Sequence, residues 1–230
     1  MFAMAKYNPK RITLFAGHYG SGKTNIAVNF ALKLKENGLN VKVCDLDIVN
    51  PYFRTKDSAI DLKKAGIELV SPTFANTNVD LPALPQEVYG VVGNKDYYAV
   101  LDIGGDDRGA YALGRYTPTI LEENNYEMIF VANFFRPLTR TPEEALEVMR
   151  EIEYACKIPF TAIVNNSNLG NDTKKEDIES MIQKAKKLSE ISSLPVIYTT
   201  VREDIKGVEN FAGELLPLKL QEKYFDIKEI

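Results

Sequence analysis

The chain has 230 residues, of which 45% are hydrophobic and 26% charged, with a formal net charge of −4, so one α/β domain over residues 1–230 is expected. The excess of acidic over basic residues argues against a nucleic-acid partner. No apolar run approaches the roughly 20 residues that span a bilayer. Because Met1–Lys6 lacks the pattern of a secretory signal, we expect a cytoplasmic protein whose partner is a small molecule or a protein.

The first predicted strand, Ile12–Phe15, leads into a glycine-rich loop and then a helix. The loop matches the spacing G-x-x-x-x-G-K-T in full, as Gly17-His18-Tyr19-Gly20-Ser21-Gly22-Lys23-Thr24. Glycines let backbone N–H groups approach an anion, and the helix dipole favours negative charge at the same point. We expect Lys23 to contact phosphate and the Thr24 hydroxyl to bind Mg²⁺. The stretch from Gly17 to Asn25 is therefore predicted to bind a nucleotide; the alternative is a turn that binds nothing.

Two aspartates follow the second predicted strand. Apolar spacing over Ile26–Leu34 predicts the helix after the loop, and Val41–Cys44 predicts the strand, which ends in Asp45-Leu46-Asp47. Ligands of open α/β sheets lie at the carboxyl ends of the strands. Asp47 is therefore the stronger candidate for Mg²⁺ binding or water activation and Asp45 the weaker, although both are also common turn residues.

The next part of the chain is less regular. A helix is predicted through Ile60–Ala65 and a strand at Ile67–Val70, and Ser71–Asp96 then contains several prolines and the polar stretch Asn76–Asp80. Such a loop either lies over a site or forms an interface. The alternative is a surface excursion with one short helix at 85–92.

The fourth predicted strand carries a second nucleotide-site signal. Tyr97–Leu101 is an apolar and aromatic run that ends at Asp102, and Gly104 and Gly105 follow. An apolar strand ending in aspartate is the Walker B arrangement, in which the carboxylate holds Mg²⁺ through water. The two glycines would let backbone N–H groups approach a γ-phosphate. The alternative is a strand that runs into a glycine turn.

Strands and helices alternate through the rest of the chain. Further strands are predicted at Glu127–Ala132, Phe160–Val164 and Pro195–Thr200. Capping boxes predict helix starts at Thr141 with Glu144 and at Thr173 with Glu176, the second for one helix running to Leu188. The alternation predicts a mostly parallel, doubly wound sheet flanked by helices, the fold of a P-loop NTPase.

Polar residues follow the strand at Phe160–Val164. The amides of Asn165 and Asn166 are candidates to contact a nucleotide base, unless they are loop residues only. The tail over Leu218–Ile230 balances its charges, so we expect it to dock on the domain or on a second subunit rather than lie on a membrane.

The loop, Asp45-x-Asp47 and Asp102-x-Gly-Gly together resemble the CobQ/CobB/MinD/ParA nucleotide-binding family of P-loop ATPases, over about Arg11–Thr200. The resemblance implies ATP and Mg²⁺ as cofactors and a homodimer whose nucleotides face each other. It implies catalytic roles for Lys23, Asp47 and Asp102, with Mg²⁺ held by Thr24, Asp47 and Asp102.

One position departs from the family. MinD/ParA members carry a signature lysine where this chain has His18, and that lysine reaches the partner's phosphates. A neutral imidazole lacks the fixed charge of an ammonium. Either ATP-dependent dimerisation is weaker here, or protonated His18 or an arginine supplies the charge; the candidates are Arg54, Arg108 and Arg136.

The resemblance leaves the function open between two classes. The first is a slow ATPase that acts as a switch for a protein partner. The second is a small-molecule kinase or ligase like CobB or dethiobiotin synthase, with Asn76–Asp80 and Arg108–Tyr116 binding the substrate. Adenine is expected rather than guanine, because Asn94-Lys95-Asp96 lacks the guanine-reading spacing and precedes a strand.

Overall fold

The computed structural model describes residues 9–46, 55–71, 86–105, 110, 111 and 113–220. Within them, one eight-stranded sheet has the order β3-β2-β4-β1-β5-β6-β7-β8, and every neighbouring pair is parallel. The strands are β1 (Ile12–Ala16), β2 (Val41–Leu46), β3 (Glu68–Val70), β4 (Tyr98–Ile103), β5 (Tyr126–Ala132), β6 (Ala162–Asn165), β7 (Val196–Arg202) and β8 (Glu214–Leu218). The predicted parallel α/β sheet is confirmed.

Helices cover both faces of the sheet. They are α1 (Lys23–Glu36), α2 (Thr55–Lys64), α3 (Gln86–Gly93), α4 (Thr117–Glu123), α5 (Pro142–Cys156), α6 (Lys175–Ser180) and α7 (Ile182–Ser192). Side chains alternate across a strand, so Leu14 and Phe15 of β1 enter different cores. Phe15 packs edge-to-face on Phe30 of α1, with ring centroids 5.4 Å apart, whereas Leu14 faces the core that α3, α4, α5 and α7 cover. The sheet is therefore doubly wound.

The strand order places β1 in the middle of the sheet. Three strands lie on one side of β1 and four on the other, with β4 and β5 as its hydrogen-bonded neighbours. Because all strands run in the same direction, their carboxyl ends form one edge of the sheet. The segments that follow the strands meet at this carboxyl edge; they come after β1, β2, β4, β5, β6 and β7. The glycine-rich loop follows β1 and so lies at the centre of that edge.

The last strand was not predicted from the sequence. Glu214–Leu218 forms β8 beside β7, in a stretch for which the sequence predicted no strand and which only reaches the start of the predicted tail at Leu218. Pro217 is tolerated because β8 is an edge strand of the described sheet. Beyond β8, the Asn29 side chain of α1 exchanges two hydrogen bonds of 3.0 Å with the backbone of Lys219. The rest of the tail, from 221, lies outside the described residues.

One of the two predicted capping boxes is confirmed. Thr141 accepts from the backbone of Glu144 at 3.2 Å, and the Glu144 carboxylate accepts from the backbone of Thr141 at 2.9 Å. The prediction for Thr173 is wrong, because its hydroxyl donates to the Gly170 carbonyl at 2.7 Å. Asp177 instead accepts from the backbone of Lys174 at 2.8 Å, which starts α6 one residue later.

Three other expectations concern two predicted helices and one predicted loop. The single helix predicted toward Leu188 is wrong, because it divides at Met181 into α6 and α7. The short helix predicted at 85–92 is confirmed as α3. Asn76–Asp80 lies outside the described residues. Crossing a membrane would need a longer and more apolar helix than any found in the described part of the chain.

Candidate functional site

The loop between β1 and α1 needs glycine at several positions. Gly20 and Gly22 have φ angles of 76° and 91°, in the left-handed region that favours glycine. A Cβ at Gly17 would lie 2.6 Å from the Val131 carbonyl oxygen, so the loop packs directly on the backbone of β5. These glycines allow the tight turn that brings the chain into the first turn of α1.

Lys23 carries a positive charge into the interior of this loop. Its side chain belongs to the first residue of α1, it is 1% exposed, and Nζ donates to the His18 carbonyl at 3.3 Å. The first N–H groups of α1 lie at the same point, with the positive end of the helix dipole. A buried lysine side chain beside the N–H groups at a helix N-terminus is an arrangement that favours anion binding.

Two acidic strand ends lie beside the start of α1. Thr24 Oγ1 donates to Asp102 Oδ2 at 2.5 Å, and Asp102 at the end of β4 is 3% exposed. Asp45 of β2 is the register neighbour of Asp102, and with Thr24 both carboxylates line one small cavity. A hydroxyl with carboxylate oxygens is the donor set that Mg²⁺ prefers, so these residues fit that ion.

The chain after β4 passes directly over the mouth of the loop. A Cβ at Gly105 would lie 2.7 Å from the backbone nitrogen of Tyr19, 2.9 Å from Nζ of Lys23 and 3.0 Å from the carbonyl oxygen of Gly17. Such separations leave no room for a side chain. Glycine at 105 therefore allows the segment after β4 to contact both the loop backbone and its lysine.

Side chains from β5, β6 and β7 hold the other side of the loop. Asn166 donates from Nδ2 to the Ser21 carbonyl at 2.6 Å and accepts from Thr200 Oγ1 at 2.5 Å. Arg136, which follows β5, donates from Nε to the Gly20 carbonyl at 2.9 Å. Two consecutive carbonyls of the loop are thus bound by side chains from distant parts of the chain.

A cavity of about 150 Å³ opens beside this face of the loop. It is lined by Gly20, Gly22, Asn25, Arg136, Asn166, Asn168, Gly170, Thr173, Ile178, Thr200, Arg202, Leu218 and Leu220. The cavity extends from the glycines of the loop to the carboxyl ends of β6 and β7. It could therefore hold a group attached to an anion in the loop.

Residues 12–216 match the model of the CobQ/CobB/MinD/ParA nucleotide binding domain. The chain belongs to this family. The expected family membership is confirmed, and the loop at Gly17–Thr24 lies within the matched residues. Its role in binding phosphate stays a prediction. A comparison with curated protein sequences finds no match.

Solved structures of the FtsY protein are similar to the chain in fold. Cell division protein FtsY from Thermotoga maritima is 15% identical with a TM-score of 0.59, over 86% of this chain and 64% of that one. Chloroplast FtsY from Physcomitrella patens is 17% identical with a TM-score of 0.58, over 90% and 62%. FtsY from Elizabethkingia anophelis, solved in complex with GDP, is 16% identical with a TM-score of 0.51, over 86% and 60%. The chain thus spans less than two thirds of each of these proteins.

His18, which is predicted to stand where MinD/ParA members carry their signature lysine, lies in the loop after β1. Its ring lies over its own loop, with Nδ1 2.9 Å from the Tyr19 carbonyl oxygen, and the side chain is half-buried. Tyr19 is 54% exposed beside it. Of the arginines proposed to replace the lysine, Arg136 contacts the loop, whereas Arg54 and Arg108 lie outside the described residues, as does Asp47.

The two asparagines predicted to contact a base occupy different positions. Asn166 lines the cavity, although both ends of its amide already bind Ser21 and Thr200. Asn165 is 1% exposed, is not among the lining residues, and accepts from Ser167 at 2.7 Å. A role in base binding stays a prediction for both.

Ser21, one of the residues predicted to bind the nucleotide, is 1% exposed, and its hydroxyl makes no hydrogen bond within the described residues. Two other groups at the site were missed by reasoning from sequence. Thr200, in the carboxyl-terminal half of β7, and Asn168, which follows β6, both line the cavity. Their positions toward the carboxyl ends of parallel strands were a usable signal, because ligands of such sheets bind there.

Proposed function

We propose that this protein binds Mg-ATP in the loop from Gly17 to Asn25 and is a slow cytoplasmic ATPase that acts as a nucleotide-dependent switch. The observation that carries the proposal is the 2.5 Å hydrogen bond between Thr24 and Asp102, beside the buried Lys23. It joins the phosphate loop to the acidic strand end in one site. Family membership supports nucleotide binding in general.

Each residue has a distinct role in the proposed site. Lys23 would neutralise the β- and γ-phosphates, and Thr24 and Asp102 would hold Mg²⁺ together with Asp47, the proposed water-orienting residue. When bound, Mg²⁺ would offset phosphate charge and fix the triphosphate in one orientation. Asp45 is the register neighbour of Asp102 and a further oxygen donor for the same ion.

The switch proposal rests on the close approach of Gly105. Its Cα carries no side chain, and a Cβ there would lie within 3.0 Å of Tyr19, Lys23 and Gly17 atoms. A γ-phosphate beside Lys23 would compete for the space that this segment uses. ATP and ADP would therefore favour different positions of the chain after β4, and a protein partner or a second copy in a homodimer would recognise the difference.

Adenine is the proposed base. The polar residues at the end of β6 are Asn165-Asn166-Ser167-Asn168, which do not match the pattern Asn-Lys-x-Asp that recognises guanine. Titration calorimetry with ATP and GTP tests this directly, since comparable affinities would overturn the adenine proposal. The GDP complex of the Elizabethkingia anophelis FtsY makes GTP the necessary comparison.

The ATPase proposal is tested by turnover with and without metabolites. We expect slow phosphate release from ATP alone, and strict dependence on an added small molecule would instead support the kinase or ligase class. Asp102→Asn should bind ATP in EDTA about as wild type does, but should lose most of the enhancement by Mg²⁺. A variant that responds to Mg²⁺ like wild type would contradict the role of Asp102.

A further inference from the structure

Arg136 lies against the glycine-rich loop between β1 and α1. A turn after β5 holds the residue: the backbone of Arg136 donates to the Asn133 carbonyl at 3.1 Å, and Thr139 Oγ1 donates to the same oxygen at 2.7 Å. Asn133 is fully buried and accepts from the backbone of Phe135 at 3.1 Å. The arginine therefore extends from a fixed turn rather than from a free loop.

The guanidinium is only partly used by the protein. Nε donates to the Gly20 carbonyl, while within the described residues neither terminal nitrogen has a hydrogen bond or a carboxylate partner. The other arginine on the cavity, Arg202, pairs with Asp204 and donates to the carbonyls of Gly170 and Asn171. Arg136 is thus the cavity-lining arginine whose charge no described carboxylate offsets.

The cavity places this charge on one particular side of the nucleotide. Arg136 shares the cavity with Gly22 and Asn25, whereas Lys23 lies beneath Gly105 and does not line it. The cavity leads away from Lys23 toward the ends of β6 and β7. A nucleotide with its terminal phosphate at Lys23 would therefore pass its inner phosphates beside Arg136.

We propose that Arg136 is a phosphate-binding residue that acts within its own chain, on the α- and β-phosphates of the bound nucleotide. Nε fixes the guanidinium to the loop, and the terminal N–H groups donate to phosphate oxygens in a planar, charge-assisted contact. The inference rests on the proposed function, since it needs a nucleotide in the loop. It assigns the second positive charge of the site to a residue after β5.

A contact with the inner phosphates has a definite kinetic signature. ADP and ATP share these phosphates, so losing the contact should weaken both nucleotides by similar factors and leave kcat nearly unchanged. Loss of a charged hydrogen bond predicts about 10- to 100-fold weaker binding. A residue that stabilised only the transition state would instead lower kcat and leave ADP affinity intact.

The experiment compares Arg136→Ala and Arg136→Lys with wild type, using calorimetry with ADP and ATP in Mg²⁺ at about 50 mM and about 300 mM salt. Arg140→Ala is the matched control, because Arg140 is exposed four residues along the same segment and does not line the cavity. We expect Arg136→Ala to weaken both nucleotides and to reduce the salt dependence. Arg136→Lys should recover part of the affinity, and Arg140→Ala should match wild type.

Three outcomes would overturn the inference. If Arg136→Ala binds ADP as tightly as wild type, Arg136 does not contact the inner phosphates. Nucleotide binding by wild type would then still support the proposed function. Equal losses in the lysine and alanine variants, with unchanged salt dependence, would reduce Arg136 to an anchor for Gly20. A wild-type protein that binds neither ADP nor ATP would defeat the proposed function and this inference with it.

Discussion

Glu127 gives the most quantitative prediction, because it is a carboxyl group inside the sheet. It lies on β5 opposite Thr13 of β1, is 8% exposed, and accepts from Thr13 Oγ1 at 2.8 Å. Burial raises the pKa of Glu127 to about 8, opposed by a backbone hydrogen bond from Lys10. The folded protein therefore keeps a proton that the unfolded chain loses near its ordinary pKa of 4.5.

Because the folded and unfolded states bind different numbers of protons, the free energy of unfolding depends on pH. Between pH 4.5 and about 8 the folded state binds more protons than the unfolded state. The contribution of Glu127 to the free energy of unfolding is therefore fully present at low pH and falls as the pH rises toward 8. At 1.36 kcal/mol for each pKa unit, the loss is about 1 kcal/mol by pH 5 and about 3 kcal/mol by pH 7. Wild type should thus lose roughly 2 kcal/mol between these two pH values through Glu127 alone.

Glu127→Gln tests this pH dependence, because the amide has the shape of the carboxyl group and does not titrate. Urea unfolding at pH 5 and pH 7 should show the variant gaining roughly 2 kcal/mol relative to wild type as pH rises. Glu147→Gln, at an exposed position on α5, is the control and should show no such gain. A difference in unfolding free energy between wild type and Glu127→Gln that stays constant between the two pH values would refute the reasoning.

Two further predictions concern the loop and a helix start. Gly105→Ala places a Cβ 2.7 Å from the Tyr19 nitrogen, so the free energy of unfolding in urea should fall by about 1–3 kcal/mol; Gly93→Ala, with open space around it, should not lower it. Equal stabilities of the two variants would contradict the close approach. Thr141→Ala removes the cap of α5 and should lower the free energy of unfolding by about 1 kcal/mol in urea; an unchanged midpoint and slope would contradict a stabilising cap.

Local signals predicted the phosphate loop and its acidic partner. The loop is a continuous stretch, and Asp102 ends an apolar strand, so strand polarity alone brought the carboxylate to the same edge as Thr24. The observed 2.5 Å contact agrees with that reasoning. Asp47, the other predicted acid, lies outside the described residues and stays a prediction.

Contacts between distant segments could not be predicted in the same way. The bond between Arg136 and Gly20 joins residues 116 positions apart, and only the strand order β1-β5 brings them together. β8 was missed because its proline weakens a strand pattern that tertiary pairing at the sheet edge restores. Thr173 failed as a cap because Asp177 competes from one residue further on.

The hydrogen bond from Asn166 to the Ser21 carbonyl has a consequence for how the loop meets a ligand. A peptide unit is planar and trans, so fixing the carbonyl of Ser21 toward Asn166 also fixes the N–H of Gly22 on the opposite side. That donor is oriented by the folded protein rather than by the arriving anion. Binding then requires little reorganisation of this peptide, and more of the interaction free energy remains as affinity.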